Sequence, residues 1–267
     1  MHSRCRMMLR AAHRALISSS SGCHLMEPLR LLTLGGLVLF VGAEPTTGAV
    51  TQRRRLALLA LLAVARERGL SRDKLLAYLW PERDSARARH GLDQLLYAQR
   101  RALGTDALFH GRKTLRLNRA AITSDLWDFE DAVDSGAYAT AVRLYAGPFL
   151  DGFFMKSAPE FERWAEGERE RLARCCALAL GALAKAAAAA QDYDGAAEWW
   201  RRATELNPFD AEPAIRLVEV CVASGDRAGA LRYGRRHAER LRSELGVEPD
   251  TRVLRLIDAL RAEPGAD

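Results

Sequence analysis

Leu70 to Gly104 reads LSRDKLLAYLWPERDSARARHGLDQLLYAQRRALG, and the fold turns on this stretch. Ser71 is a helix N-cap, and Leu70 before it can close a hydrophobic staple on Leu75. Leu75, Leu76, Leu79 and Trp80 supply one apolar face, and Pro81 ends the helix. A second helix opens at Asp84 or Ser85 and ends before Gly104, with Leu92, Leu95, Leu96 and Leu103 at helical spacing. Two helices joined by a short proline-containing turn predict a helix-turn-helix.

The flanks complete a larger unit. Leu29 to Phe40 alternates loosely and reads as strands; Gly42 to Gly48, with Pro45, reads as a turn region. Gln52 to Arg68 predicts a helix with a Leu/Ala face, closed by Gly69. Leu108 to Leu117, with Gly111-Arg112 at its centre, predicts a β-hairpin, the wing. The fold class expected is mainly α: a winged helix-turn-helix domain over residues 27–123, then an all-α tetratricopeptide-like helical-repeat domain over residues 124–267.

Charge divides the chain at the same place. Residues 1–119 hold 21 Lys and Arg against 8 Asp and Glu, whereas residues 120–267 hold 19 against 26. A basic half followed by an acidic half suggests a polyanion-binding module attached to one that does not touch the polyanion.

The helix from Ser85 to Leu103 is the candidate DNA reader. Arg87, Gly91, Gln94, Ala98 and Arg101 fall on one face, flanked by His90 and Tyr97. Arg pairs bidentately with guanine and Gln with adenine; Arg and Tyr also suit phosphates. The small residues Gly91 and Ala98 are expected to let this face approach a groove closely. The candidate DNA-binding set is Arg87, Arg89, His90, Gln94, Tyr97, Arg100 and Arg101, with Arg112 and Lys113 at the wing tip. Solubilising charge is the competing reading for the wing, as it is for Arg53-Arg54-Arg55, which opens a helix where cations are mildly unfavourable.

The second half carries an internal repeat. Asp192-Tyr193-Asp194-Gly195-Ala196-Ala197 matches Asp226-Arg227-Ala228-Gly229-Ala230-Leu231 at an offset of 34 residues, the tetratricopeptide period. Gly136 to Ala141 reads as a third copy of the same turn at irregular distance. Small residues there are expected to let successive helices pack closely.

Enzyme signatures are missing: there is no GxxxxGK[ST], GxGxxG, HExxH or GxSxG. The His residues show no metal spacing, and the carboxylates after residue 124 read as ordinary helix-surface charge. No catalytic, cofactor or metal residue is expected. The cysteines Cys5, Cys23, Cys175, Cys176 and Cys221 are odd in number and lack CxxC spacing, so they read as reduced thiols. The apolar run Leu31 to Ala43 is too short to span a membrane, and no membrane partner is expected. Residues 1–26 hold four Arg and no acid, a transit-peptide composition. Core patterning begins only at Leu29, so the segment reads as a disordered or mis-assigned extension, with Met26 as an alternative start.

Family resemblance follows from these stretches. LSRDKLLAYLWPERDSARARHGLDQLLYAQRRALG resembles the OmpR-type winged helix of the Streptomyces antibiotic regulatory protein family. SDLWDFEDAVDSGAYATAVRLYAGPFLDGF, APEFERWAEGERERL, NPFDAEPAIRLVEVCVASGDRAGALRYG and LRSELGVEPD are similar to the bacterial transcriptional activator domain that follows it. The resemblance spans Leu29 to Asp250. It implies a cytoplasmic, nucleoid-associated activator that binds double-stranded promoter repeats as a homodimer and contacts RNA polymerase, without a cofactor. The family's reading helix maps to Ser85–Leu103. Gln99 departs from it, standing where the pattern has an apolar core residue, which leaves the rotation of that helix open. A second class of function also stays open: a tetratricopeptide scaffold or adaptor with a basic accessory half.

Overall fold

The computed structural model describes residues 28–48 and 52–262. What the sequence suggests for residues 1–26, with Cys5 and Cys23, lies outside the described residues.

In chain order, strands β1 (Leu29–Leu32), β2 (Val38–Val41) and β3 (Glu44–Pro45) precede helix α1 (Arg53–Ala65) and a 3-10 turn over Arg66–Arg68. Strand β4 (Leu70–Ser71) leads into α2 (Arg72–Leu79) and α3 (Ser85–Leu103). The hairpin β5 (Phe109–His110) and β6 (Thr114–Leu117) follows, then β7 (Ile122–Ser124). The remainder is helical: α4 (Asp125–Asp134), α5 (Tyr138–Leu144), α6 (Pro159–Ala189), α7 (Tyr193–Leu206), α8 (Ala211–Ala223), α9 (Arg227–Arg240) and α10 (Thr251–Ala262).

Two small sheets frame α1 to α3. The first runs β3-β2-β1-β7, antiparallel except that β7 lies parallel to β1; the second runs β4-β6-β5. Helix α1 is the centre of this half. Every residue from Leu56 to Ala63 is buried, so the helix is apolar all round rather than on the single face expected from sequence. The expected helix to Arg68 stops at Ala65, because Arg66 turns out at φ 48. Its guanidinium donates to the Trp127 carbonyl at 3.0 Å and to Asp131 at 2.7 Å, and pairs with Glu130 at 3.0 Å.

The joint with the helical half is built from the motif that carries the resemblance. In YAGPFLDGF, Gly147 lies against Gly35, where a Cβ would come within 3.0 Å of the Gly35 Cα. Backbone therefore meets backbone: Gly35 N–H donates to the Pro148 carbonyl at 3.0 Å and Leu150 N–H to the Thr33 carbonyl at 2.8 Å. Phe149 and Phe161 are fully buried and stack edge-on or tilted on Trp164, which also meets Tyr78 of α2 at 5.9 Å. Helix α2 is thereby seated on α6. Trp127 fixes α4 to the end of α1 by donating Nε1–H to the Ala63 carbonyl at 2.7 Å.

From α6 onward, consecutive helices pack pairwise. Helix α6 is long and apolar enough to cross a membrane by length and composition. Here its stripe of Leu172, Cys176, Ala179, Leu180 and Ala184 is buried, and a Cβ on its Gly181 would meet the Trp200 ring of α7 at 3.2 Å. Burial pushes the Cys176 thiol up to about 11, which keeps it protonated and a poor nucleophile.

The 34-residue repeat has a more local cause than helix-helix crowding. Asp192 and Asp226 cap α7 and α9, and their carboxylates accept from Gly195 N–H at 2.9 Å and Gly229 N–H at 2.8 Å. A Cβ at Gly229 would lie 1.9 Å from the Asp226 carboxylate. The close packing expected of the alanines in this turn is seen at Ala196 and Ala230, both fully buried. Asp226→Ala and Gly229→Val should each cost about 0.5–2 kcal/mol by breaking one cap. In urea unfolding the double variant should cost less than the sum. Additive losses would show that the glycine serves something other than the cap.

Candidate nucleic-acid interface

Helix α3 forms because its two ends are capped. Asp84 accepts from Arg87 N–H at 2.9 Å, and Gly104 closes the far end in the left-handed region. Ala88, Leu92, Leu95, Leu96 and Gln99 point into the core. That fixes the rotation: Gln99 takes the apolar slot itself, fully buried, with neither amide atom bonded to a described residue. Its substitution for an apolar residue leaves the helix facing as the pattern of leucines dictates.

The face opposite the core is centred on His90, Tyr97 and Arg101, with Gln94 beside them. Tyr97 stands 65% exposed, an amphipathic ring open to solvent. Arg87 and Arg89 are also open to solvent. Arg100 is only half-buried at the flank, and its Nε is enclosed with no hydrogen-bond partner among the described residues. The set expected from sequence, centred on Gly91 and Ala98, is off this centre. Gly91 is half-buried because it backs onto Trp80: a Cβ there would touch the indole at 3.4 Å. Gly91 therefore sits at the α2–α3 contact on the flank of this face, and His90 and Tyr97 move from flank to centre.

The wing lies beside this face. Arg112 and Lys113 are exposed at the tip of the β5–β6 hairpin, at the turn around Gly111. The residue that couples wing to helix is Arg72, which the sequence reading missed. Its Nε–H donates to the Arg112 carbonyl at 2.8 Å, its N–H to the Lys113 carbonyl at 3.1 Å, and its guanidinium pairs with Asp93 of α3 at 2.7 Å. Its place as the first residue of α2, after the Ser71 cap, hid it, since an arginine in a first helical turn signals nothing by itself.

The other cations divide into free and engaged. Arg54 donates to the Leu79 carbonyl at 3.0 Å, pairs with Glu82 at 3.1 Å and lies over the Trp80 ring. It holds α1 to the end of α2, so the Arg53-Arg54-Arg55 cluster is at least partly structural. Arg89 reaches Asp73 only at 3.8 Å, and Arg87 pairs with Asp84 at 3.3 Å, both exposed. Exposed pairs of this kind contribute about 0–1 kcal/mol, so an incoming phosphate can displace them. Among the described residues, no cluster of three or more His, Cys, Asp or Glu is placed to hold a metal ion.

Residues 109–261, more than half of the chain, match the family described as bacterial transcriptional activator domain. The chain belongs to the bacterial transcriptional activator domain family. The match begins in the wing and takes in the whole helical half, so the activator-domain part of the sequence resemblance holds. A solved structure of Mycobacterium tuberculosis EmbR in complex with a low affinity phosphopeptide has the same fold, with a TM-score of 0.64 at 23% identity. The likeness covers 88% of this chain and 66% of the EmbR chain, so this chain spans about two thirds of EmbR's length. No curated protein matches the chain. The family is one of transcription regulators, and the fold, a small sheet-and-helix half followed by a helical half, agrees with that placement.

Proposed function

We propose that this family member is a sequence-specific regulator of transcription that reads double-stranded DNA with α3 and grips it with the wing. One observation carries the reading. His90, Gln94, Tyr97 and Arg101 form a solvent-facing polar and aromatic stripe on the second helix of a helix-turn-helix. Arg72 ties that stripe to a wing with a basic tip. Residues 27–123 are the DNA-binding unit, and residues 124–267 the unit that engages RNA polymerase and a second copy on promoter repeats. No cofactor takes part, and the protein works in the cytoplasm on the nucleoid.

Different roles follow within the proposed site. Gln94 and Arg101 can meet base edges in a major groove, whereas Arg112 and Lys113 on a hairpin tip suit phosphate. Gln94→Ala should cost about 1–3 kcal/mol on the best duplex and relax preference at one base pair. Titration against that duplex and a scrambled one checks this. Equal losses on both would place Gln94 on the backbone; no loss would leave His90, Tyr97 and Arg101 as the readers. A protein that distinguishes no duplex from any other, in any variant, would leave the scaffold reading standing.

A further inference from the structure

The acidic half of the chain contains a basic hollow. Residues of α7, α8 and α9 enclose a cavity of about 370 Å³, within the range of small-molecule sites. Arg201, Arg232, Arg236 and Arg240 line it, against one carboxylate, Glu205. Arg201 is held by Glu198 and Glu205, and Arg240 by Glu244 at 3.3 Å. Arg232 and Arg236 have no carboxylate partner among the described residues; Arg232 lies only over the Tyr233 ring. The two sit one turn apart on α9, where like charges repel. A net positive lining in the half of the chain that is richer in acids is not the local average.

The second observation is a buried polar group with nothing to bond. His237 is 7% exposed and lines the same cavity. Its Nε2 is enclosed with no partner among the described residues. A buried polar atom left unpaired is costly, and the usual remedy is a ligand or an ordered water. Burial holds the imidazole below its ordinary value, so the ring is neutral. Pro208, Leu217 and the Tyr233 ring supply apolar surface beside these groups.

We infer that this cavity binds a small organic anion, a phosphate ester or a carboxylate with an aromatic or apolar body. The anionic group sits on Arg232 and Arg236, and the body lies against Tyr233 and Leu217. Guanidinium forks match both anions, and a bound anion would tie α9 to α7 and α8. The inference does not depend on DNA reading, and its test involves no DNA.

The full chain would be titrated calorimetrically with phenyl phosphate, with phenylacetate and with sodium sulfate at equal ionic strength. Saturable one-to-one binding of phenyl phosphate or phenylacetate, with a matching rise in Tm, is the expected result. The tighter of the two identifies the anion class. Arg232→Ala combined with Arg236→Ala should weaken it about 10–100-fold. Arg236→Gln, which keeps most of the volume, covers the case in which the double variant does not fold. Arg216→Ala, which removes ion pairs with Glu212 and Glu219 outside the cavity, should change nothing. Absence of saturable binding up to millimolar probe would overturn the inference. So would equal binding of sulfate, or binding that survives loss of Arg232 and Arg236.

Discussion

Asp125→Ala should cost the full chain about 2–6 kcal/mol in urea unfolding, because it strands the N–H groups of Thr33 and Leu34 across the joint at about 1–3 kcal/mol each. Asp125 is 5% exposed at the start of α4, facing the turn after β1. Its carboxylate accepts from Thr33 N–H and Leu34 N–H at 2.9 Å, from Thr33 Oγ1 at 3.0 Å and from Leu126 N–H at 2.8 Å. Asp125→Asn keeps the volume but sets an amide donor against these N–H groups, so part of the loss should remain. Burial pushes the carboxyl up and the four donors pull it back, leaving it above the ordinary aspartate value. Ionisation therefore costs the folded state. Stability from this group falls as pH rises from the unfolded-state value, near 3.8, through the folded one, and is flat above. Asp125→Asn should remove that slope. A loss below about 1 kcal/mol for Asp125→Ala would show that the joint is held elsewhere.

Asp125 also marks where the sequence ceased to be legible. It stands among carboxylates that read as helix-surface charge, and nothing in its spacing shows that β7 delivers it parallel to β1. Local signals served better: Ser71, Asp84 and Gly104 bound their helices as the capping rules require, because caps are contacts within a few residues. The repeat at Asp192 and Asp226 was visible for the same reason. Smallness at Gly91 does not say which neighbour it faces; only the position of Trp80 does. Arg72 and the hollow around His237 depend on side chains 21 to 40 residues apart or on three helices meeting, and single-sequence periodicity carries no record of such meetings.

DNA affinity should depend steeply on salt, and the size of the effect follows from which cations are free. Lys74, Arg83, Arg87, Arg89, Arg101, Arg112 and Lys113 are exposed on or near α2, α3 and the wing. Arg54 and Arg72 are already engaged with carbonyls and carboxylates and should contribute little. Neutralising about six phosphates releases counterions with a log–log slope near −5, so affinity should fall about 10³-fold from about 50 to about 200 mM salt. Arg112→Ala should weaken all duplexes alike and reduce the slope by about one. Arg72→Ala has a different signature: it removes no exposed cation but frees the wing from Asp93, so it should lower affinity for the best duplex with little change in slope. Fluorescence anisotropy at four salt concentrations separates the cases. A fall smaller than about tenfold for the parent chain would mean that this face does not meet phosphate, since a peptide groove of mixed contacts gives that weak dependence.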